Sequence, residues 1–225
     1  MANSNAIIQW NCRGFRANYN EIQRLLHDHN PIAFCLQETF LRESDKINIR
    51  HFSLYSSFSA GEHASGGVSL IINEKTPHKH VPLQTKLQAV AVSVTMHKTL
   101  TLCSVYLPPS SHRDPKDRDD LVSQLPSPFI LLGDFNGHNL LWGSKNINDK
   151  GKKIEDFIGK HDLCLFNDKS NTYLHPATGS YSALDLTICS PSLLLDFAWE
   201  VSDDLCGSDH FPIPNIVKKR WSTVK

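Results

Sequence analysis

The sequence predicts an α/β fold in which two β-sheets pack against each other with helices outside. Three observations support this prediction: apolar segments of strand length recur along the chain, amphipathic helical segments separate several of them, and no repeat or linker divides the 225 residues. A chain of this length suits one large sheet-rich unit better than two separate cores. We therefore predict a single domain with a core over about residues 6–214 and a basic tail over residues 215–225.

The first half of the chain predicts a strand–helix–strand unit and an antiparallel hairpin. The predicted elements are, in order, a strand at 6–10, a helix at 18–29, and strands at 32–37, 66–72, 87–95 and 100–107. The helix carries Ile22, Leu25 and Leu26 at helical spacing and stops before Pro31. Two strands joined by a helix are expected to be parallel. The last two strands alternate and share a short polar turn, which indicates a hairpin.

The second half continues the mixture of helices and short strands. The predicted elements are a helix at 114–125, a strand at 129–132, a helix at 149–161, strands at 163–166 and 184–189, a short helix at 191–197 and a strand at 211–213. Ile154, Phe157 and Ile158 lie on one face of the helix at 149–161. The basic run at 218–220 is either a solvated terminus or an arm that contacts DNA.

The composition excludes some classes of protein but does not identify a substrate. The 23 basic and 23 acidic residues cancel, so net charge gives no support for a nucleic-acid partner and does not exclude one. No apolar run approaches the roughly 18 residues that cross a bilayer. The polar N-terminus lacks the profile of a secretory signal. We therefore predict an intracellular protein with no membrane partner.

The cysteines are scattered, and most lie in apolar, strand-like segments. They are Cys12, Cys35, Cys103, Cys164, Cys189 and Cys206. None forms a Cys-x-x-Cys pair, so we predict reduced thiols that pack as small hydrophobic groups. A zinc site or a disulfide framework is the alternative.

Polar side chains close several of the apolar strands. Asn11 closes the first strand, and Glu38 closes the second. Asp134 and Asn136 follow the buried strand at 129–132. Hydrolysis of a phosphodiester at neutral pH needs a divalent cation, a base and donors that hold the phosphate, and magnesium takes oxygen ligands. The alternatives are a helix or loop cap for Glu38 and a simple turn for the Asp134 segment.

Three more side chains complete the predicted site. Asp209 and His210 stand at the mouth of the predicted strand at 211–213. Asp185 is flanked by apolar residues, and because a buried carboxylate needs a partner, we predict that it orients His210. Tyr106 ends a strand and either donates its hydroxyl to a phosphate or is a strand-end aromatic with a solvated hydroxyl. The whole set indicates a metal-assisted phosphodiester hydrolase.

These residues occur in a recognisable order. The segments are NCRG at 11–14, LQET at 36–39, YLPP at 106–109, GDFN at 133–136, SALDLT at 182–187 and SDHFP at 208–212. From residue 7 to residue 213 the chain resembles the endonuclease/exonuclease/phosphatase superfamily, which includes exonuclease III and DNase I. Within it, the chain resembles the apurinic-endonuclease-like domain of non-LTR (LINE-type) retrotransposons. The resemblance implies a DNase I-like, four-layer α/β sandwich of two mixed sheets with helices outside.

The resemblance also implies a metal site and a water-activating group. Glu38 would bind Mg²⁺, or alternatively Mn²⁺, with Asn11 beside it. Asp209 would lie near the metal or near His210. Asp134 would activate or position the attacking water. Family mechanisms differ over whether the aspartate or the histidine supplies the base, and the sequence leaves both open.

The remaining implied roles concern the phosphate and the DNA. Asn136 and Tyr106 would hold the scissile phosphate, and His210, oriented by Asp185, would stabilise the pentacoordinate charge. Repair enzymes carry an aspartate where this chain has Arg13, so the resemblance favours nicking of ordinary DNA over abasic-site repair.

Residues 171–182 resemble the hairpin with which such domains touch a DNA groove; the alternative is a surface hairpin without readout. The DNA-contact residues that the resemblance implies are Arg13, Tyr173, His175, Thr178 and Ser182. Changes at Tyr173 or His175 are expected to shift the cleavage preference more than the overall rate.

The leading interpretation is a magnesium-dependent endonuclease that nicks one strand of double-stranded DNA and leaves a 3′-hydroxyl to prime reverse transcription. A full element would carry a reverse transcriptase in cis, so this chain is expected to be an isolated nuclease domain or a truncated element product. We expect a monomer, and the resemblance implies a nuclear location. Two alternatives are a phosphatase or sphingomyelinase-type phosphoesterase of the same fold, and an inactive nucleic-acid-binding remnant.

Overall fold

A computed structural model describes residues 6–59, 65–109 and 114–218. The strands are β1 (Ala6–Asn11), β2 (Ala33–Gln37), β3 (Phe52–Ser57), β4 (Val68–Asn73), β5 (His78–Val81), β6 (Gln88–Thr95), β7 (Thr99–Tyr106), β8 (Phe129–Asp134), β9 (Cys164–Leu165), β10 (Tyr173–Leu174), β11 (Tyr181–Ser182), β12 (Asp185–Cys189), β13 (Phe197–Trp199) and β14 (Ile213–Val217). The α-helices are α1 (Tyr19–His29), α2 (Pro115–Ser123) and α3 (Asp149–Lys160).

The strands form two six-stranded sheets and a small hairpin. The first sheet has the order β13-β14-β1-β2-β4-β3, and the second has the order β5-β6-β7-β8-β12-β9. The β1–β2 and β7–β8 pairs are parallel, and the other pairs are antiparallel, so both sheets are mixed. The hairpin β10–β11 stands apart from both sheets. The predicted α/β sandwich is confirmed.

Alternation along the strands produces the layers. Ile7 of β1 packs between the sheets with Leu70 and Val92. Its neighbour Ile8 faces the opposite side and packs in the cluster that includes Leu25 of α1. A third cluster packs α2 and α3 against the outer face of the second sheet. Successive strand residues point to opposite faces, so one apolar strand contributes to two layers of core.

The layer between the sheets becomes polar near one edge. Gln9 of β1 donates from Nε2 to the carbonyl oxygen of Gly133 at 3.0 Å and accepts from Thr187 Oγ1 at 2.9 Å. Gln37 of β2 donates to Ser104 Oγ at 2.9 Å. A Cβ at Gly133 would lie 1.9 Å from the carbonyl oxygen of Val105, so only glycine permits this approach of β7 and β8. These contacts fix the sheets against each other beside the predicted site.

Several predicted elements are wrong in extent or kind. The strand predicted at 211–213 is β14, which begins at Ile213 and continues to Val217, so the core extends past the predicted boundary and into the predicted tail. The helix predicted at 191–197 is a single 3₁₀ turn, Pro191–Leu193, followed by β13. The edge strands β3 and β5 were not predicted, because half-buried edge strands carry a weak apolar pattern. Residues 219 and 220 of the basic run lie outside the described residues.

The structure also bears on the thiols and on membranes. All six cysteines are free, and five of them are buried, which confirms the prediction of unpaired thiols. Burial raises the pKa of Cys12 and of Cys103 to about 12, so these thiols stay protonated at neutral pH. Among the described residues, no helix has the length and apolar character needed to cross a bilayer.

Candidate active site

One edge of the sandwich carries most of the predicted site residues. Asn11 is the last residue of β1, and Glu38 directly follows β2, its parallel neighbour. In the second sheet, Asp134 at the end of β8 lies opposite both Tyr106 of β7 and Asp185 of β12. The amide of Asn11 and the carboxylate of Asp134, one from each sheet, are in direct contact. The site therefore lies where the two sheets meet at this edge.

His210 reaches the same edge by a route that the sequence did not indicate. It precedes β14 instead of ending a strand. Because β14 is antiparallel to β1, with Ile213 opposite Gln9, the start of β14 lies near the end of β1. The indole N–H of Trp10 donates to the carbonyl oxygen of His210 at 2.9 Å. The structure thus brings His210 to Asn11 through the pairing of β14 with β1, a contact that the sequence did not indicate.

Asn11 joins two carboxylates. Its Nδ2 donates to Glu38 Oε1 at 3.0 Å and to Asp134 Oδ2 at 2.9 Å. Its Oδ1 accepts from the backbone N–H of Arg13 at 3.2 Å, which is consistent with the amino group facing the acids. Asn11 is fully buried, and these contacts satisfy an amide that is costly to bury alone. Glu38 is only partly buried and remains open toward solvent.

His210 is buried and pairs with Asp185. Its Nδ1 lies 2.8 Å from Asp185 Oδ2, and its Nε2 lies 3.9 Å from Asp134 Oδ2. Burial alone lowers the pKa of His210, but the neighbouring carboxylates, Asp185 foremost, outweigh burial and raise that pKa to about 9. At neutral pH the ring is an imidazolium that donates from Nδ1 to Asp185 and presents Nε2–H toward Asp134.

Asp134 accepts two hydrogen bonds from Asn136, in the loop that follows β8. Its Oδ1 accepts from the backbone N–H of Asn136 at 3.0 Å, and its Oδ2 accepts from Asn136 Nδ2 at 2.8 Å. Burial raises the pKa of Asp134 to about 7; His210 opposes this shift, whereas Asp185 and Glu38 add to it. Asp185 Oδ1 is buried and has no hydrogen-bond partner within the described part of the chain. The carboxylates therefore crowd each other, which favours a bound proton or cation.

The hydroxyl of Tyr106 faces the same carboxylates. Burial raises its pKa far above the ordinary value, and the charges of Glu38 and Asp134 add to the shift. Tyr106 is therefore a neutral donor at any physiological pH, which suits a group that holds a phosphate oxygen.

Asp209 and Arg13 form an ion pair at the rim of the site. Arg13 Nη1 lies 2.8 Å from Asp209 Oδ2, and the Arg13 side chain is 55% exposed. One oxygen of Asp209, a predicted metal ligand, is therefore engaged by a guanidinium. Arg13, Glu38 and Asn136 all have positive φ angles, at 46°, 49° and 49°. Such backbone conformations are uncommon outside glycine and cluster at functional sites.

The donor set fits a divalent cation. Ligand atoms of Asp134, Asp185 and His210 lie within 4.8 Å of one another, and Glu38 lies beside them through Asn11. Hard cations such as Mg²⁺ prefer oxygen ligands. Because Asp185 engages Nδ1 of His210, the partly open carboxylate of Glu38 is the better seat for such an ion. Asn11, a predicted metal ligand, turns its amino group toward Glu38 and so orients that carboxylate. The unpartnered Asp185 oxygen and the raised pKa of Asp134 agree with a site that is short of positive charge.

The sequence of this site matches a known family. Residues 100–214, just over half of the chain, match the model of a family described as endonuclease-reverse transcriptase. The matched segment runs from β7 into β14 and contains Tyr106, Asp134, Asp185 and His210. The chain belongs to this family.

Curated relatives are proteins of mobile elements. The chain is 27% identical over 209 residues to the RNA-directed DNA polymerase from mobile element jockey of Drosophila melanogaster, and this match covers 91% of the chain and 23% of the relative. It is 24% identical over 212 residues to a probable RNA-directed DNA polymerase from transposon X-element of the same species, with 92% and 23% coverage. The chain thus spans less than a quarter of the length of these relatives.

Solved structures share the fold. The endonuclease domain of TRAS1, a telomere-specific non-LTR retrotransposon, matches with a TM-score of 0.82 at 19% identity, over 96% of this chain and 99% of that one. The Xenopus laevis APE2 catalytic domain matches with a TM-score of 0.71 at 18% identity, over 95% and 91%. The fold is therefore that of endonuclease/exonuclease/phosphatase nucleases.

Two hydroxyl groups of this endonuclease-reverse transcriptase domain were missed by the sequence analysis. Ser208 Oγ donates to the carbonyl oxygen of Asn11 at 2.8 Å and accepts from the backbone N–H of His210 at 3.2 Å. Thr172 Oγ1 accepts from the backbone N–H of Asp185 at 3.0 Å. Ser208 was detectable as a hydroxyl two residues before His210, a spacing that forms local turns. Nothing in the sequence around Thr172 indicated its role.

The β10–β11 hairpin lies directly against His210. The rings of Tyr173 and His210 have centroids 4.7 Å apart, and a single antiparallel bridge pairs the two residues. The backbone N–H of Leu174 donates to the carbonyl oxygen of Asp209 at 2.8 Å. The hairpin and the His210 segment are therefore one packed unit.

The other predicted DNA-contact residues of the hairpin lie farther along it. His175 and Thr178 are exposed, and Thr178 Oγ1 contacts Ser180 Oγ at 2.8 Å within the turn. Ser182 is half-buried and pairs with Tyr173 across the hairpin. Their contact with DNA stays a prediction.

Because Tyr173 packs on His210 and His175 is exposed, mutations at the two positions are expected to have different effects. Since Tyr173 covers His210, Tyr173→Ala is expected to lower the nicking rate roughly tenfold or more, as misplacement of a reacting group does. This differs from the expectation drawn from sequence, in which a change at Tyr173 shifts the cleavage preference more than the overall rate. His175→Ala, at an exposed position, is expected to change the map of cut sites with a rate close to that of the wild type. Nick mapping on one plasmid measures both quantities, and equal rates for the two variants would contradict the distinction.

Proposed function

We propose that the protein is a divalent-metal-dependent DNA endonuclease that hydrolyses one phosphodiester and so nicks one strand of a duplex. The observation that carries this proposal is the single amide of Asn11 that joins Glu38 and Asp134 next to the His210–Asp185 pair. Tyr106 and Asn136 lie at the same edge and offer neutral donors for a phosphate. Family membership supports a nuclease, and Arg13 supports the choice of ordinary DNA.

Each residue has a role that its surroundings support. Glu38 would hold the cation, Mg²⁺ in our proposal with Mn²⁺ as the alternative. Asn11 would lie beside the ion and orient the Glu38 carboxylate through Nδ2, and Asp209 would lie near them at the rim. When bound, the cation supplies positive charge that neutralises the phosphate. Tyr106 and Asn136 hold the phosphate oxygens through neutral donors.

The two buried charges suggest how the proton moves. With its pKa raised to about 9, His210 is positive at pH 7, so it stabilises negative charge and is a poor base. Asp134, with a pKa raised to about 7, is matched to accept a proton from the attacking water. Asp185 keeps the imidazolium oriented through Nδ1. We therefore assign the base to Asp134 and the electrostatic role to His210.

The proposal extends to the biological setting. Relatives named as RNA-directed DNA polymerases of mobile elements support a reverse transcriptase in cis in a full element. The 3′-hydroxyl left by the nick would prime that enzyme at its target. The substrate would then be chromosomal double-stranded DNA, the location nuclear and the acting unit of this domain a monomer.

A supercoiled-plasmid assay tests the proposal. The 225-residue chain is expected to convert supercoiled plasmid to open circles in magnesium and to leave it intact in EDTA. Open circles that a DNA polymerase extends directly, without prior phosphatase treatment, would demonstrate the 3′-hydroxyl. Nick positions read at nucleotide resolution give the cleavage preference.

Two outcomes would favour the alternatives. Phosphate release from a phosphoester with no nicking would favour a phosphatase. A Neisseria 3′ phosphatase shares the fold, with a TM-score of 0.72 at 14% identity. DNA binding with no metal-dependent nicking would favour an inactive remnant. The buried cluster of Asp134, Asp185 and His210, with the partly buried Glu38 beside it, argues against the latter.

A further inference from the structure

Lys150 contacts the turn that directly follows Tyr106 of the candidate site. It lies in the first turn of α3, and its Nζ donates to the carbonyl oxygens of Leu107 at 2.8 Å and Pro108 at 2.7 Å. These two carbonyl groups directly follow Tyr106 at the end of β7. A single ammonium group therefore holds the turn that leaves the Tyr106 position.

The location is unfavourable for a lysine by itself. The N-terminus of a helix carries partial positive charge, which repels a cation in the first turn. Burial lowers the pKa of Lys150 to about 8; the charge of Asp134 opposes that shift and the charge of Arg118 adds to it. The two short hydrogen bonds to carbonyl oxygens compensate for both effects. A residue that breaks a local rule in this way usually serves a functional position.

The same helical turn is fixed to the loop that carries Asn136. Asn148, the N-cap of α3, accepts through Oδ1 from the backbone N–H of Gly151 at 2.7 Å and from that of His138 at 3.1 Å. A Cβ at Gly151 would lie 1.9 Å from the carbonyl oxygen of His138, so glycine is required for this approach. The N-terminal end of α3 therefore contacts the segments that follow both β7 and β8.

The peptide after Tyr106 is held from two sides. The backbone N–H of Leu107 donates to the carbonyl oxygen of Asp134 at 2.9 Å, while the carbonyl oxygen of Leu107 accepts from Lys150. These contacts fix Tyr106 relative to Asp134, the two residues that face the phosphate and the attacking water in the proposed reaction. Loss of the hydrogen bond from Lys150 would leave the turn after Tyr106 held only through the N–H of Leu107.

We propose that Lys150 is a positioning residue that acts through Tyr106 to align the phosphate with Asp134. This inference rests on the proposed function, since it concerns the same reaction. Its effect is expected mainly in kcat, because the alignment matters most in the transition state.

A double-mutant cycle tests the inference. The nicking rates of wild type, Lys150→Met, Tyr106→Phe and the double variant are measured at saturating plasmid. Lys150→Met is expected to lower kcat by about 10- to 100-fold, with KM changed less than threefold or so. In the Tyr106→Phe background the same change is expected to have much less effect, because the group that Lys150 positions is already gone. Lys152→Met, an exposed lysine on the same helix, is the matched control and is expected to behave as wild type.

The outcomes are decisive and separable. A wild type that does not nick plasmid overturns the proposed function. A wild type that nicks, together with a Lys150→Met variant that is equally active or whose loss multiplies fully with that of Tyr106→Phe, overturns only the role of Lys150. Thermal unfolding is followed for every variant. Should Lys150→Met be unfolded at the assay temperature, Lys150→Gln, which keeps a neutral donor, carries the same cycle.

Discussion

Replacement of His210 by alanine is expected to reduce plasmid nicking by on the order of 100-fold or more, because removal of one preorganised donor costs that much in rate. The variant loses the imidazolium, whose Nε2 lies 3.9 Å from Asp134 Oδ2. It also leaves the buried carboxylate of Asp185 without its partner. Initial rates of open-circle formation in magnesium measure the effect.

Another histidine–aspartate pair provides the control. His161 Nε2 lies 2.7 Å from Asp119 Oδ1, in a pair that joins α3 to α2 away from the sheet edge. His161→Ala removes an imidazole from a similar partner and is expected to nick at the wild-type rate. Near-normal nicking by His210→Ala would refute the assignment of His210. Equal losses in both variants would indicate a general effect of disturbing such pairs.

Replacement of Asp134 by asparagine is expected to abolish nicking while leaving the fold at least as stable as that of the wild type at neutral pH. The variant keeps the size of the side chain but removes the carboxylate through which the second sheet contacts Asn11. Without an ionisable group, it accepts no proton from water. The rate is expected to fall on the order of 100-fold or more, as for the loss of a general base. The plasmid assay measures it.

The stability of this variant has a predictable dependence on pH. The pKa of Asp134 is raised from 3.8 to about 7 in the folded state, so ionisation opposes folding as pH rises through this range. The thermal midpoint of Asp134→Asn, measured in EDTA relative to wild type, is therefore expected to increase between those two pH values. A difference that stays flat, or that falls, would contradict the shift.

Asp119 is the matched carboxylate with the opposite shift. Its hydrogen bonds from Lys160 and His161 lower its pKa, so ionised Asp119 favours folding. Asp119→Asn is expected to lose stability relative to wild type as pH rises through the acid range up to 3.8, with a constant difference above that value, and to nick normally. As pH rises, the stability relative to wild type is expected to increase for Asp134→Asn and to decrease for Asp119→Asn. These opposite directions distinguish an active-site effect from a general effect of removing a charge.

The sequence alone was sufficient to locate, to within two residues, the ends of β1, β2 and β8, the buried strands that lead to Asn11, Glu38 and Asp134. An apolar run of strand length must leave the sheet where it ends, so the polar residue that follows has to stand at an edge. This is why Asn11, Glu38 and Asp134 were identified without coordinates. Asp185 was identified by another signal, a carboxylate inside an apolar segment, and His210 was correctly named as its partner.

The sequence could not show how the edges of different strands meet. The contact between Asn11 and Asp134 joins residues 123 positions apart and depends on the packing of one sheet on the other. His210 was placed at the mouth of a strand, but only the structure shows that this strand, β14, runs antiparallel to β1 and so brings His210 to the site. The cover that Tyr173 forms over His210 depends on the docking of a hairpin outside both sheets.

The amino-acid sequence by itself determined the fold class and the chemical groups available for the reaction, because apolar periodicity and polar strand ends are local properties of the chain. Only the tertiary structure decided which groups share a hydrogen bond, which carboxylate gains a raised pKa and that Lys150 supports the turn after Tyr106. Those properties arise from burial and from distances between remote segments, and no local pattern encodes either quantity.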